Sequence, residues 1–464
     1  LEGGVNFDFS EISLIKDSLS QNEVNEDNEE DDEDFDSDTD ENKSRLQDCF
    51  KSMVDTLSKQ APETITQVQL LVKELRRIIL LWDELWLGTL AQHQSDILKR
   101  QQQLAQEVDK VNENEHLTAE EKISLITEKH RIFFKPIIFI MEQLNDITST
   151  EPETPHEKQF QEKYLELIQD IIAKLKNPAN PEKPQASWLL IRQLQANLHQ
   201  KMQKQSSLNM YDISPILANI KNTVISMPGQ FVQTTVTISK VSNKLAILPT
   251  KTKPKKLMFY GSDGQKYTYL FKGLEDLHLD ERIMQFLSIA NTMMAHSTKS
   301  SGHELYRARH YSVIPLGPRS GLISWVDGTT PVFSVYKRWQ QREANKSVLK
   351  NSQSAAPVLR PSELFYKKLN PLLQEIGVKN IESRKEWPSH VLKQVLQELI
   401  AETPSDLFAK ELWCHSVDAG TWWQKLRKYS YSVAVMSIIG YIIGLGDRHL
   451  DNILVDLNTG EVVH

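Results

Sequence analysis

The sequence predicts an α+β protein in which a helical bundle is followed by a smaller sheet and then by further helices. Three observations predict it. Apolar residues recur at helical spacing through a Gln-, Glu-, Lys- and Leu-rich stretch from 44 to about 208, as in Val68, Leu71, Leu75, Ile78, Ile79, Trp82, Leu85 and Trp86. After Met227-Pro228-Gly229 the pattern changes, and β-branched residues dominate Val232-Gln233-Thr234-Thr235-Val236-Thr237-Ile238. Near the end, an apolar run over 432–445 opens onto the polar segment Gly446-Asp447-Arg448-His449-Leu450-Asp451-Asn452.

Taken in order, the chain opens on an acidic segment. Within 1–45, 17 acidic residues stand against 3 basic ones, and twelve of the acids lie from Glu26 to Glu41. Self-repulsion and the scarcity of apolar residues predict a solvated, disordered tail, with competition for a basic surface as its functional alternative. Four main helices are expected after it. Loops between them are marked by Thr150-Glu151-Pro152-Glu153-Thr154-Pro155 and Asn177-Pro178-Ala179-Asn180-Pro181, and a further helix runs from 186 to about 202.

Strands are predicted at Leu245-Ala246-Ile247-Leu248, Lys256-Leu257-Met258-Phe259-Tyr260 and Tyr267-Thr268-Tyr269-Leu270-Phe271, the last two joined by the turn Gly261-Ser262-Asp263-Gly264. A helix follows over about 274–295, and two more strands sit at 311–316 and 321–326. The small-residue apolar run 432–445 predicts a buried helix, with short strands at Ile453-Leu454-Val455 and Glu461-Val462-Val463 around Asn458-Thr459-Gly460.

Composition bounds the answer without naming it. At 464 residues there is room for two or three domains, and the net charge of -8 conceals a remainder after residue 45 with 51 basic against 45 acidic residues. So slight a basic excess suits an anionic nucleotide and does not predict direct nucleic-acid binding. Cys49 and Cys414 are too few and too far apart for a disulfide framework or zinc site, which points to a reducing compartment, the cytoplasm and with it the nucleus. No signal peptide is visible, and the apolar run is shorter than the roughly 20 residues of a membrane span.

The chemistry lies in the polar segment after that run. Asp447 and Asn452 are five residues apart, as are the kinase Asp that receives the proton of an attacking hydroxyl and the Asn that holds a phosphate-bound metal. The plain alternative is a pair of turn formers, but a buried helix before the loop and a hairpin after it would make a rigid holder for catalytic groups. Ordinary protein kinases place the His before the Asp, whereas this chain writes Asp447-Arg448-His449. The inverted order resembles the phosphatidylinositol 3-kinase superfamily.

The run from Leu270-Phe271-Lys272-Gly273-Leu274-Glu275 to Asp280-Glu281-Arg282 resembles the lysine strand and following helix of the phosphatidylinositol 3-kinase-related protein kinases. Leu81-Trp82-Asp83-Glu84-Leu85-Trp86 and Ala186-Ser187-Trp188 resemble the two ends of the four-helix, rapamycin-binding-type domain that precedes the kinase in that family. The resemblance covers residues 64–464. It implies an acidic segment over 1–63, the bundle over 64–226, a kinase small lobe and hinge over 227–326, and the first part of a large lobe over 327–464.

The resemblance also implies roles. Lys272 would contact the α and β phosphates, with Glu275 and Asp280 as its carboxylate partners, which of the two forms the closer pair being open from one sequence. Thr250 lies in a glycine-free loop that would cover the phosphates with hydroxyl and backbone N–H groups. The lysines at 251, 253, 255 and 256 read equally as solvated charge or as phosphate steering. Ile323, Trp325 and Val326 fall at the hinge, where they would meet adenine, and Tyr311 lies at the back of the pocket; aromatic residues on a strand are otherwise core. His449 would polarise the γ-phosphoryl group or the attacking hydroxyl, or else bond the loop backbone. Arg448 is read as fixing the loop, and Asn452 as the metal ligand.

In that family a second metal-binding Asp stands two residues after the position of His464, where the sequence stops, so the chain by itself is expected to lack one ligand and the activation loop. The implied reaction uses ATP with Mg2+ or Mn2+, bound between the lobes, and phosphorylates a Ser or Thr followed by Gln. Ile247 to Leu257, Tyr336 to Ala344, and Gly446 to Asn452 with Thr459 to His464 are similar to the branch of the family that serves nonsense-mediated messenger RNA decay. That likeness implies an RNA helicase of that pathway as protein substrate and large helical regulatory subunits as partners, with no membrane attachment. A phosphoinositide lipid kinase and an inactive scaffold are the rival readings.

Overall fold

The computed structural model describes residue 48 and residues 51–178, 180, 183–230, 235–250, 252–298, 306–351, 359–378 and 383–464. The acidic tract 26–41, Cys49, Lys251, the first residues of the β-branched run at 232 and Ser20-Gln21 lie outside them. The described residues form two compact units, one reaching to Glu281 and including Ser312–Trp325, the other made of Arg282–Tyr311 and Val326–His464.

The first unit begins with helical residues 51–60 and helix α1 (Pro62–Arg77), then α2 (Trp82–Gln92), α3 (Gln94–Glu113), α4 (Ala119–Thr148), α5 (Pro155–Lys176) and α6 (Pro184–Lys204). The sequence announces most of these starts. Thr118 and Thr154 close capping boxes with Glu121 and Glu157, and Pro62, Pro155 and Pro184 occupy first-turn positions where no N–H is needed. The four expected main helices become more segments for two reasons. The break at His93 carries no Gly or Pro to announce it, and α1 does not join the bundle.

Helices α2 to α6 enclose one apolar core built on Trp86, Phe134, Phe160, Tyr164 and Trp188. Trp86 Nε1 donates to Thr148 Oγ1 at 3.2 Å, so even the indole N–H is satisfied there. Asp83 is buried with His156 Nε2 at 3.5 Å and Lys201 Nζ at 2.9 Å. Burial alone would raise its carboxyl, but the close approach of the His156 ring and the Lys201 ammonium outweighs it and holds Asp83 well below the usual range.

His130 is fully buried, stacks on Phe134 with ring centroids 4.0 Å apart, and has no hydrogen-bond partner on either ring nitrogen. Burial pushes its pKa from 6.5 down to about 4. The neutral ring is the folded form, so its stabilising contribution is full above pH 6.5 and is lost as pH falls towards 4, by up to about 3 kcal/mol. Denaturant titrations at pH 7 and pH 4.5 should show this slope reduced in His130→Leu; an equal slope in both proteins would remove His130 from the account.

After the bundle come β1 (Ser207–Asn209), α7 (Met210–Ile213), α8 (Pro215–Asn219), β2 (Ile238–Val241), β3 (Lys244–Ile247), β4 (Lys255–Gly261), β5 (Lys266–Gly273), α9 (His278–Thr298), β6 (Val313–Gly317) and β7 (Ser320–Ser324). The strands form one antiparallel sheet in the order β1-β3-β4-β5-β7-β6, with β2 also paired to β4. The predicted turn joins β4 to β5, with Gly264 at φ 77°, a left-handed value suited to glycine. Leu257, Phe259, Tyr269, Phe271 and Leu322 line the sheet's buried face against Leu71, Leu75 and Ile78 of the α1 region and Met210, Ile213 and Leu217 of α7 and α8. Helix α1 therefore belongs to the sheet's core rather than to the bundle's.

In the second unit, β8 (Thr329–Pro331), α10 (Val332–Asn351), α11 (Pro361–Glu375), α12 (Ser389–Glu402), α13 (Leu407–Cys414), α14 (Ala419–Ile443), β9 (Leu454–Asp456) and β10 (Val462–Val463) follow. The predicted hairpin forms, with Val462 opposite Val455, and β8 adds a third strand. The expectation of a buried helix over 432–445 is met on one side only. Ser432, Val435 and Met436 are buried, whereas Tyr441 is 88% and Ile442 70% exposed. A helix apolar around its whole circumference gives no signal of which side lacks a neighbour. No helix among the described residues is long and apolar enough to cross a membrane.

Candidate functional site

The residues singled out by sequence fall in both units. In the first, Lys272 sits near the end of β5, opposite Gly321 of β7. Its Nζ donates to Glu275 Oε2 at 3.0 Å, with both side chains about a third exposed. Of the two carboxylates, Glu275 is the one paired with Lys272 in this structure. Leu274 turns the chain at φ 65°, which folds Glu275 back onto the lysine, while Asp280 stands exposed in the first turn of α9. Gly273 is required beside Lys272, because a Cβ there would lie 2.3 Å from Ile79 Cγ2.

Thr250 is exposed in a tight loop after β3. Its N–H donates to Leu248 O at 2.9 Å and its carbonyl accepts from Lys253 N at 3.2 Å. The neighbouring lysines do not act as one basic cluster. Lys255 is buried, donating to Glu84 Oε2 at 2.6 Å and to Ile79 O at 2.9 Å, so it is neither solvated nor available to a phosphate. Lys256, the next residue, places its ammonium 3.8 Å from the centre of the Trp325 indole. No sequence motif marks that contact, though strand alternation puts 255 and 256 on opposite faces and signals that the two cannot share one job.

Ile323 is held in the sheet opposite Leu270, and the Trp325 N–H donates to Thr268 O at 2.9 Å. Val326 is the first residue of the second unit's later segment, and its carbonyl accepts from Thr329 Oγ1 at 3.0 Å.

In the second unit, α14 ends at Gly444, whose φ of 64° lets its N–H turn back to Gly440 and Tyr441. The loop that follows is pinned where Phe333 N donates to Leu450 O and Val332 N to Ile453 O, each at 3.0 Å. Asp447 adopts φ 55°, a left-handed conformation that non-glycine residues seldom take and that Asp tolerates better than most. Asn452 Nδ2 donates to both the carbonyl and Oδ2 of Asp447, each at 3.0 Å. Those two bonds fix the amide's orientation and turn its oxygen away from Asp447 as a ligand.

His449 joins this group. Its Nδ1 lies 3.2 Å from Asp451 N, and a backbone amide can only donate, so the proton of the neutral ring is on Nε2. Nε2 stands 3.9 Å from Asp447 Oδ1. Arg448 Nε donates to Gly446 O at 2.7 Å, in keeping with a residue that fixes the loop. Tyr311 OH donates to the carbonyl of His464, whose imidazole is pushed below its usual range by burial and then by the Arg448 guanidinium.

The arrangement can orient a hydroxyl through the outer carboxylate oxygen of Asp447 and offer a donor at His449 Nε2. An amide oxygen beside a carboxylate suits a hard divalent cation, and magnesium on phosphates takes only one or two protein oxygens. Among the described residues no group of three or more His, Cys, Asp or Glu residues forms a metal cluster by itself.

Residues 266–464 match the family described as phosphatidylinositol 3- and 4-kinase. The chain is 50% identical over 433 residues to the serine/threonine-protein kinase SMG1 of Danio rerio, covering 91% of this chain and 12% of that protein. It is 45% identical over 423 residues to Smg1 of Drosophila melanogaster, covering 90% and 13%, and 28% identical over 419 residues to the serine/threonine-protein kinase TOR of Oryza sativa subsp. japonica, covering 89% and 15%. The chain thus spans about an eighth of the length of the first two relatives.

Proposed function

We propose that this chain, whose residues 266–464 match the phosphatidylinositol 3- and 4-kinase family, is the catalytic region of a serine/threonine protein kinase acting on Ser or Thr followed by Gln. The observation that carries this reading is the double hydrogen bond from the Asn452 amide to Asp447, which readies one carboxylate oxygen for a hydroxyl and one amide oxygen for a cation.

Asp447 orients the substrate hydroxyl and receives its proton as the oxygen attacks the γ-phosphorus. His449 donates from Nε2 towards charge that develops on the transferred group. Lys272, held by Glu275, neutralises the α and β phosphates of ATP, and Thr250 offers a hydroxyl to the phosphates. Ile323, Trp325, Val326 and Tyr311 receive the adenine, and Asp280 serves as an outer carboxylate on α9. Asn452 would hold magnesium or manganese, which when bound would supply positive charge to the phosphates. Catalysis on this reading is positioning and charge neutralisation.

Within 64–226, helices α2 to α6 are proposed as the rapamycin-binding-type bundle, with 227–326 as the small lobe and hinge and 327–464 as the start of the large lobe. The similarity to SMG1 kinases supports a protein substrate and a place in nonsense-mediated messenger RNA decay; an RNA helicase of that pathway as the substrate, large helical regulatory subunits as partners and a cytoplasmic and nuclear location are part of the proposal.

The family's name keeps a lipid substrate as the second reading. The test is phosphate transfer by the full-length protein to a Ser-Gln peptide and, separately, to phosphoinositide vesicles. Peptide labelling supports the proposal, and labelling of lipid alone replaces it with the second reading. No labelling of either by a folded, ATP-binding protein favours the scaffold or a required activating partner.

A further inference from the structure

The first unit's sheet presents two lysines on its open face. Alternation along the strands sends Leu257, Phe259, Tyr269, Phe271 and Leu322 into the core, and so sends Lys256, Leu270, Lys272 and Ile323 to the other side. Lys256 is opposite Leu270, and Leu270 opposite Ile323, while Lys272 stands two residues further along β5. A diagonal of that kind separates the two lysines by roughly 7–8 Å at the backbone.

Lys272 already has a carboxylate partner, but Lys256 has a different one. Its ammonium lies 3.8 Å from the indole centroid of Trp325, well inside the roughly 6 Å within which a cation is drawn to an aromatic face. The Trp325 backbone is fixed by its bond to Thr268, so the side chain is the part left to be oriented. An ammonium covers one face of an indole and leaves the opposite face for a flat, apolar group.

We propose that Lys256 is a positioning residue for the nucleotide base: it holds the Trp325 indole by one face so that the other can stack on a purine. This rests on the kinase reading above. It separates the two lysines by task, Lys272 acting on phosphates and Lys256 on base recognition through the tryptophan. The buried Lys255 has neither task, since it faces the other side of the same strand.

The test uses the full-length protein with Lys256→Met, Lys256→Arg, Trp325→Leu and the double variant Lys256→Met/Trp325→Leu. Lys256→Met is expected to raise the KM for ATP roughly five- to tenfold with kcat unchanged. Lys256→Arg should restore the wild-type KM, because a guanidinium also binds an indole face. Once Trp325→Leu has removed the indole, adding Lys256→Met should have no further effect. An unchanged KM in Lys256→Met overturns the proposal, as does a fall in kcat alone, which would put Lys256 on the transferred phosphate. A rise in KM as large without the indole as with it overturns the proposal too, since Lys256 would then act independently of Trp325. Calorimetry with a non-hydrolysable ATP analogue separates the two levels: absence of binding by the wild type defeats the kinase reading and this inference together, whereas equal binding by wild type and Lys256→Met defeats this inference alone.

Discussion

Replacing Asp447 with Ala in the full-length protein is expected to lower kcat for peptide phosphorylation by about 10²- to 10⁴-fold, with the KM for ATP little changed. Two effects could contribute, and a second variant separates them. Asp447 sits at φ 55°, where Ala is strained, so Ala disturbs the loop as well as removing the carboxylate. Asn tolerates that conformation and keeps an oxygen for Asn452 Nδ2, yet cannot take up a proton. Asp447→Asn should therefore lose nearly as much activity as Asp447→Ala while unfolding at the wild-type temperature. If Asp447→Asn retained more than a tenth of wild-type kcat, Asp447 would be a loop former and not the group that orients the hydroxyl.

The second large effect concerns stability. Glu84 Oε2 accepts from the N–H of Leu81 at 3.0 Å and from Lys255 Nζ at 2.6 Å, with only 4% of the lysine side chain exposed. Glu84→Ala leaves a buried ammonium with one remaining acceptor, Ile79 O, and is expected to destabilise the first unit by about 3–5 kcal/mol. Glu84→Gln with Lys255→Met removes both charges and should recover most of that loss, since an apolar replacement of a buried pair is often close to neutral. Denaturant midpoints at constant slope would measure both. A loss below about 1 kcal/mol for Glu84→Ala would mean that water reaches Lys255.

The Asp447 loop, the helix before it and the hairpin after it were legible because each rests on local chemistry: a left-handed glycine at 444, a fixed spacing from 447 to 452, and paired apolar residues at 454–455 and 462–463. The strands at 245–248, 256–260 and 267–271 were legible for the same reason. The partner of Lys272 was not, because Glu275 and Asp280 are both acidic residues near the start of α9, and the turn at Leu274 that decides between them has no glycine to mark it. Nor was the place of α1, whose Leu71, Leu75 and Ile78 have the same period as the bundle helices but pack on the sheet. The fate of Lys255 depended on Glu84, 171 positions away, which no local pattern reports.

The short segment 78–84 is fastened to the sheet at two points, through Ile79 against Gly273 and through Ile79 O and Glu84 on Lys255. A gene broken anywhere between the codons for 84 and 255 would part the two sides of that fastening, leaving an ammonium without acceptors next to the lysine strand. In this protein the strand beside Lys272 is therefore matched to the helical segment that precedes it: transplanted without residues 78–84, β4 would carry Lys255 stripped of both Ile79 O and Glu84.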